Sequence, residues 1–151
     1  MTIATDFDGT IVTHEYPRIG TEIPFATDTL KMLIEEHHRV ILWTVREGHL
    51  LDEAVEWCRE RGVEFYAINR DYPEEDTEHL AKGFSRKVKA DLFIDDRNVG
   101  GIPDWGTIYQ MVHSGHPHHQ LRHHEDYSEN DGLPKRKSFF QYMFGKKEVR
   151  R

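Results

Sequence analysis

Val40-Ile41-Leu42-Trp43 is a continuous apolar run of four residues, too short for a helix and suited to a strand buried on both faces of a parallel sheet. Segments of helical spacing flank it. Upstream, residues 25–37 place Phe25, Leu30, Leu33 and Ile34 on one face. Downstream, His49 to Arg61 spaces Leu50, Leu51, Ala54, Val55, Trp57 and Cys58 at helical intervals and stops at Gly62, a good C-terminal cap. Thr2-Ile3-Ala4-Thr5 reads as a strand before the first helix, Val63 to Ile68 as one after the second. A charged, proline-containing connection then leads to a fourth strand, Ala90 to Ile94. This order predicts an α/β fold: a Rossmann-like, three-layer sandwich with a central parallel sheet and helices on both faces.

In such a sheet, ligands bind beyond the carboxyl ends of the strands. Those ends carry Asp6, Thr44, Asn69 and Asp95, so polar residues far apart in sequence are expected along one edge. In Asp6-Phe7-Asp8-Gly9-Thr10 a strand delivers two carboxylates two residues apart, on one side, and glycine lets the chain turn away. Such a pair can bind a divalent cation, attack phosphorus and exchange a proton with a leaving group; it also fits an acidic turn. Thr44 ends its strand beside the first turn of the second helix, where a phosphate oxygen can accept from its hydroxyl. Arg86-Lys87-Val88-Lys89 offers an ammonium against accumulated negative charge, or a solvated basic patch. Asp95-Asp96 closes an apolar strand, and two adjacent anions there are costly without a cation or hydrogen bonds.

Taken in this order, the four pieces resemble the haloacid dehalogenase superfamily of phosphotransferases, over about residues 1–112. The family's Asp-x-Asp-x-Thr motif is met by Asp6, Asp8 and Thr10. Its apolar strand ending in Ser or Thr is met by Val40 to Thr44, and its acidic pair by Asp95 and Asp96. The family's lysine corresponds to Lys87 or Lys89, and Lys87, eight positions before the pair, is the choice made here. The resemblance implies a haloacid-dehalogenase-like fold and an aspartyl-phosphate on Asp6, with Asp8 as general acid and then general base. Magnesium would be held by Asp6, Asp8 (through its backbone carbonyl), Asp95 and Asp96, while Thr44, Lys87 and Thr10 would serve the phosphate. An acidic residue two places after the nucleophile marks the phosphatase branch. Trp43-Thr44-Val45-Arg46-Glu47-Gly48 looks like a small capless subgroup, and the intervals after Asp8 and before the fourth strand are too short for a cap domain. Arg46 and Arg97 can each reach a second anionic group of the substrate or make a structural ion pair.

The expected domain is 1–112, followed by a C-terminal extension, 113–151, that is His-rich and then basic and aromatic. His113, His116, His118, His119, His123 and His124 crowd one window; without cysteine or regular spacing they read as a flexible segment with adventitious metal affinity rather than as part of the site. The aromatic cluster at Phe139, Phe140, Tyr142, Met143 and Phe144 reads as extra core. The net charge of -7 divides into a body near -10 and a tail near +3. An acidic body disfavours nonspecific nucleic-acid binding, so nucleic acid enters only as a substrate. Neither a membrane span nor a signal segment is evident, and a cytoplasmic protein is expected. The single Cys58 excludes a disulfide framework. The leading function is a magnesium-dependent phosphomonoester hydrolase of unidentified substrate, with a homo-oligomer compatible. The alternatives are a nucleic-acid end phosphatase and a noncatalytic phosphoryl- or metal-binding module.

Overall fold

The computed structural model describes residues 1–75 and 87–115. The chain divides into two compact units, Met1–Gln120 and Leu121–Arg151; the second, with its aromatic cluster, lies outside the described residues, as do Arg86 and the histidines from His116 onward. The described residues of the first form seven elements: β1 (Thr2–Thr5), α1 (Ala26–Glu35), β2 (Arg39–Leu42), α2 (Gly48–Arg59), β3 (Ala67–Ile68), β4 (Leu92–Ile94) and α3 (Trp105–His113). The four strands form one sheet in the order β3-β2-β1-β4, every pairing parallel, consistent with an α/β three-layer fold. None of the described helices is long and apolar enough to cross a membrane.

Register decides which side chains share a face. Ile3 lies opposite Val40 and Leu92, while Thr5 lies opposite Leu42 and Ile94. Because strand side chains alternate, Ile3, Val40, Leu42 and Ile94 point to one face. They join Leu30 and Leu33 of α1, Ala54 and Cys58 of α2, and Trp105, Ile108 and Val112 of α3 in the larger core cluster. Burying a leucine of this kind stabilises by about 1.5–3 kcal/mol. The opposite face holds a smaller cluster of Ala4, Ile41, Ala67 and Val88, with Trp43, Tyr66 and Phe93 against it. Successive crossovers in the same direction, β1 to β2 to β3, place α1 and α2 on one side of the sheet. Among the described residues all three helices feed that one cluster. The return connection from β3 to β4 contains residues 76–86, outside the described ones.

Several expected elements are shorter, the fourth strand among them at Leu92–Ile94, and one is new. The third strand is confined to Ala67–Ile68, because Val63 donates its N–H to the Cys58 carbonyl (3.0 Å) to close α2, and ladder bonding to β2 begins only at Tyr66 (2.8 Å, to Val40). Phe25, placed on the buried face by its spacing, stands before α1 with φ 67° and is 69% exposed. Glu22 satisfies the helix start instead, accepting from the N–H and the hydroxyl of Thr27. Helix α3 was not anticipated. Asp104 caps it, accepting from the Thr107 N–H at 2.9 Å and its hydroxyl at 2.7 Å, and Trp105, Ile108 and Val112 are buried at helical spacing. His113 belongs to its last turn, stacked on Tyr109 and bonded to Glu36 at 3.2 Å. Cys58 is buried, and burial pushes its thiol up to about 12, consistent with a structural role.

Candidate active site

The neighbouring strands β1 and β4 end side by side, and the chain leaves both of them acidic. The Asp6 N–H donates to the Ile94 carbonyl at 3.0 Å, which ties the start of one acidic turn to the end of the other strand. Carboxylate oxygens of Asp6, Asp95 and Asp96 consequently lie within 4.8 Å of one another. Thr10, fully buried, fastens the second turn: its hydroxyl accepts from the Asp96 N–H at 3.0 Å, while its carbonyl accepts from the Trp105 indole at 3.0 Å. Gly9, at φ +86°, lies so close to the Asp96 carboxylate that any side chain would collide with it. Only glycine permits both the turn and this approach.

This cluster carries uncompensated negative charge. Burial, followed by the charges of Asp95, Asp96 and Asp8, pushes the Asp6 carboxyl up from 3.8 to about 6, against a hydrogen bond from the Phe7 backbone that lowers it. Asp95 accepts from the Arg97 N–H at 2.8 Å. Asp96 Oδ1 is buried with no hydrogen-bond partner among the described residues, and a buried carboxylate oxygen without a donor is costly. Three hard oxygen donors, one of them unsatisfied, fit a divalent cation such as magnesium. The sign of the proton linkage follows. Asp6 binds its proton more tightly folded than unfolded, so its contribution to stability is full below pH 3.8 and is lost as the pH rises through about 6. Metal-free protein is expected to lose stability across that window, and at pH 7 magnesium at about a hundredfold excess over its Kd should raise Tm by about 5–10 °C. Calorimetry with and without magnesium checks this; a Tm indifferent to the ion would remove the metal site.

Asp8 stands apart from the three. Both of its oxygens accept from Arg46, Oδ2 from Nε and Oδ1 from Nη2, each at 2.7 Å. Arg46 is 0% exposed. It also donates to the carbonyls of Pro17 (3.0 Å) and Arg18 (2.9 Å) and lies against the rings of Phe7 and Tyr16, 5.1 and 5.4 Å from their centres. Of the two roles open to Arg46 from sequence, the structure takes the ion pair. With the guanidinium as its counter-charge, the Asp8 carboxylate is not among the clustered carboxylates, and the part expected of Asp8 in holding a cation, through its backbone carbonyl, does not depend on that side chain.

The remaining expected residues separate into those inside the pocket and those outside it. Asp6, Asp8, Thr44, Asp95 and Arg97 line a common cavity of about 230 Å³, together with His14, Tyr16, Trp43 and Val45. Thr44 is held in place by its N–H on Asn69 Oδ1 at 2.8 Å, and Asn69 adopts φ 52° while donating its own N–H to Leu42. Thr10 and Lys87 are not brought to the cavity. The Thr10 hydroxyl is used on Asp96, and the Lys87 ammonium sits over the Phe93 ring, 4.4 Å from its centre. Lys89 is exposed, its N–H on Asp71 at 2.6 Å. His14, Tyr16, Trp43 and Val45 were not singled out from sequence as site residues. The available signal was their position, directly after the first acidic turn and around Thr44, where chain leaving a strand end must line the edge.

The sheet and its acidic edge thus define an α/β protein with a candidate cation site at the carboxyl ends of two adjacent parallel strands. No family model and no curated protein matches the chain. Among solved structures, a conserved protein from Bacteroides thetaiotaomicron is 72% identical, with a TM-score of 0.69, over 76% of this chain and 91% of that one. The chain belongs to the same family as that protein.

Proposed function

We propose that this protein is a magnesium-dependent phosphomonoesterase of the haloacid dehalogenase type, without a cap domain. The observation that carries the reading is the convergence of Asp6, Asp95 and Asp96 at one sheet edge, with a buried Asp96 oxygen that no donor among the described residues satisfies. A binding module for phosphate alone would place donors there rather than three carboxylates, which repel a phosphate unless a cation intervenes.

Magnesium held by Asp6, Asp95 and Asp96 would supply positive charge against both the phosphoryl oxygens and the carboxylates. The chain's own residues then divide the work. An Asp6 oxygen forms a bond to phosphorus as the ester P–O bond breaks, and the departing oxygen takes a proton from Asp8, which acts here in its protonated form, restored in each turnover by the water step. Water next attacks the phosphorus of the aspartyl-phosphate and gives its proton to Asp8; the Asp6–phosphorus bond breaks and inorganic phosphate leaves. Thr44, buried at the cavity wall, donates to a phosphoryl oxygen. Arg46 positions Asp8 through its two hydrogen bonds, one of which Asp8 must release to reach the leaving group. Among the described residues Arg97 takes the place expected of Lys87 as the cation beside the substrate, since it lines the cavity and Lys87 does not.

The test is phosphate release from an aryl phosphate at neutral pH with magnesium, and its loss on chelation. Turnover that survives chelation, or none on any of a broad panel of phosphomonoesters, would overturn the proposal.

A further inference from the structure

We infer that the site selects phosphomonoesters whose leaving group carries a planar aromatic ring, received against Tyr16 and Trp43; this rests on the phosphatase reading above. Three of the nine residues around the cavity bear rings, namely His14, Tyr16 and Trp43, and Val45 adds an aliphatic surface. Tyr16 is 50% exposed and Val45 73% exposed. Apolar surface is thus left in water beside an acidic cavity, where a charged phosphate by itself would have no use for it.

The rings are also set in advance. Trp43 meets Phe93 edge to face, with centres 5.3 Å apart and planes at 67°. The Tyr16 ring has the Arg46 guanidinium against it, and the same guanidinium holds the next two carbonyls, of Pro17 and Arg18. One buried arginine therefore fixes both the proton-exchanging carboxylate and the segment that presents Tyr16. Aromatic side chains held in this way contact a flat ring with little loss of rotamer freedom. The cavity of about 230 Å³ is smaller than the roughly 300–1,000 Å³ typical for drug-sized ligands, a scale that suits a phosphoryl group and one ring system. Arg97, exposed at the rim and with no ion pair among the described residues, can meet a polar or anionic substituent of that ring.

The experiment compares matched pairs with the same primary alkyl phosphate: benzyl phosphate against cyclohexylmethyl phosphate, and adenosine 5′-monophosphate against ribose 5-phosphate. Leaving-group reactivity is nearly equal within each pair, so a difference in kcat/KM reports recognition of the flat ring. The expected preference is about tenfold or more in at least one pair, falling towards one in Tyr16→Leu and in Trp43→Leu. The first pair identifies a simple aryl group as the source of the ring, the second a nucleobase. Equal kcat/KM within both pairs, or a preference that survives in both variants, would overturn this inference alone. Phosphate release from none of the four, nor from an aryl phosphate, would remove the phosphatase reading and this inference with it.

Discussion

Asp6→Asn should release phosphate at least about 10³-fold more slowly than the native protein under the same magnesium-containing conditions, a loss of the kind that follows removal of a nucleophile. The amide has nearly the shape of the carboxylate but no oxygen able to form the acyl phosphate. The effect must be separated from unfolding, and here the two have opposite signs. Burial and three neighbouring carboxylates disfavour ionised Asp6, which is why its carboxyl is pushed up to about 6. A neutral amide removes that repulsion, so in metal-free buffer at pH 7 the variant should melt at a Tm no lower than the native protein's. Stability retained together with activity lost is the expected combination, a known compromise at functional sites. Native turnover in Asp6→Asn would dismiss Asp6 as the nucleophile.

Arg46→Met should be the most destabilising single change in the site, by about 3–5 kcal/mol. The arginine is fully buried, and its removal leaves the Asp8 carboxylate with neither of its 2.7 Å donors in a place that water reaches poorly. The Pro17 and Arg18 carbonyls lose their donors as well. For a chain of this size the loss corresponds to a fall in Tm of roughly 6–20 °C, readable by calorimetry. Removing both charges should recover much of it, so Asp8→Leu combined with Arg46→Met is expected to melt above Arg46→Met alone, while releasing no phosphate. An Arg46→Met protein that melts within a degree or two of native would show that the pair contributes nothing to the fold. Asp8→Asn, which keeps the volume, should slow turnover by about 10²–10⁴-fold, as for a lost general acid.

Much of this architecture was legible because it depends on local pattern. Four short apolar runs and two helical spacings gave the sheet and α1 and α2. Helix α3 also had a readable start, Asp104 followed by Trp105, Thr107 and Ile108, a capping residue before helical apolar spacing. Phe25 shows the limit of periodicity, which extended α1 one residue into a position with positive φ. The short β3 shows another, since Val63 has strand propensity but spends its N–H on closing α2.

Sequence by itself determined which residues stand at strand ends, and therefore that Asp6, Thr44 and Asp95 would share one edge. Strand period and the parallel βα order require this whatever the details of packing. Tertiary structure alone decided how those residues divide among partners: that Asp8 pairs with Arg46, 38 positions away, that Thr10 secures the Asp96 backbone, and that Lys87 lies on Phe93. The reason is the length and freedom of the side chains. A backbone register fixes Cα positions to a fraction of an ångström, whereas a guanidinium or ammonium several bonds away goes wherever burial, charge and packing across distant segments are satisfied together.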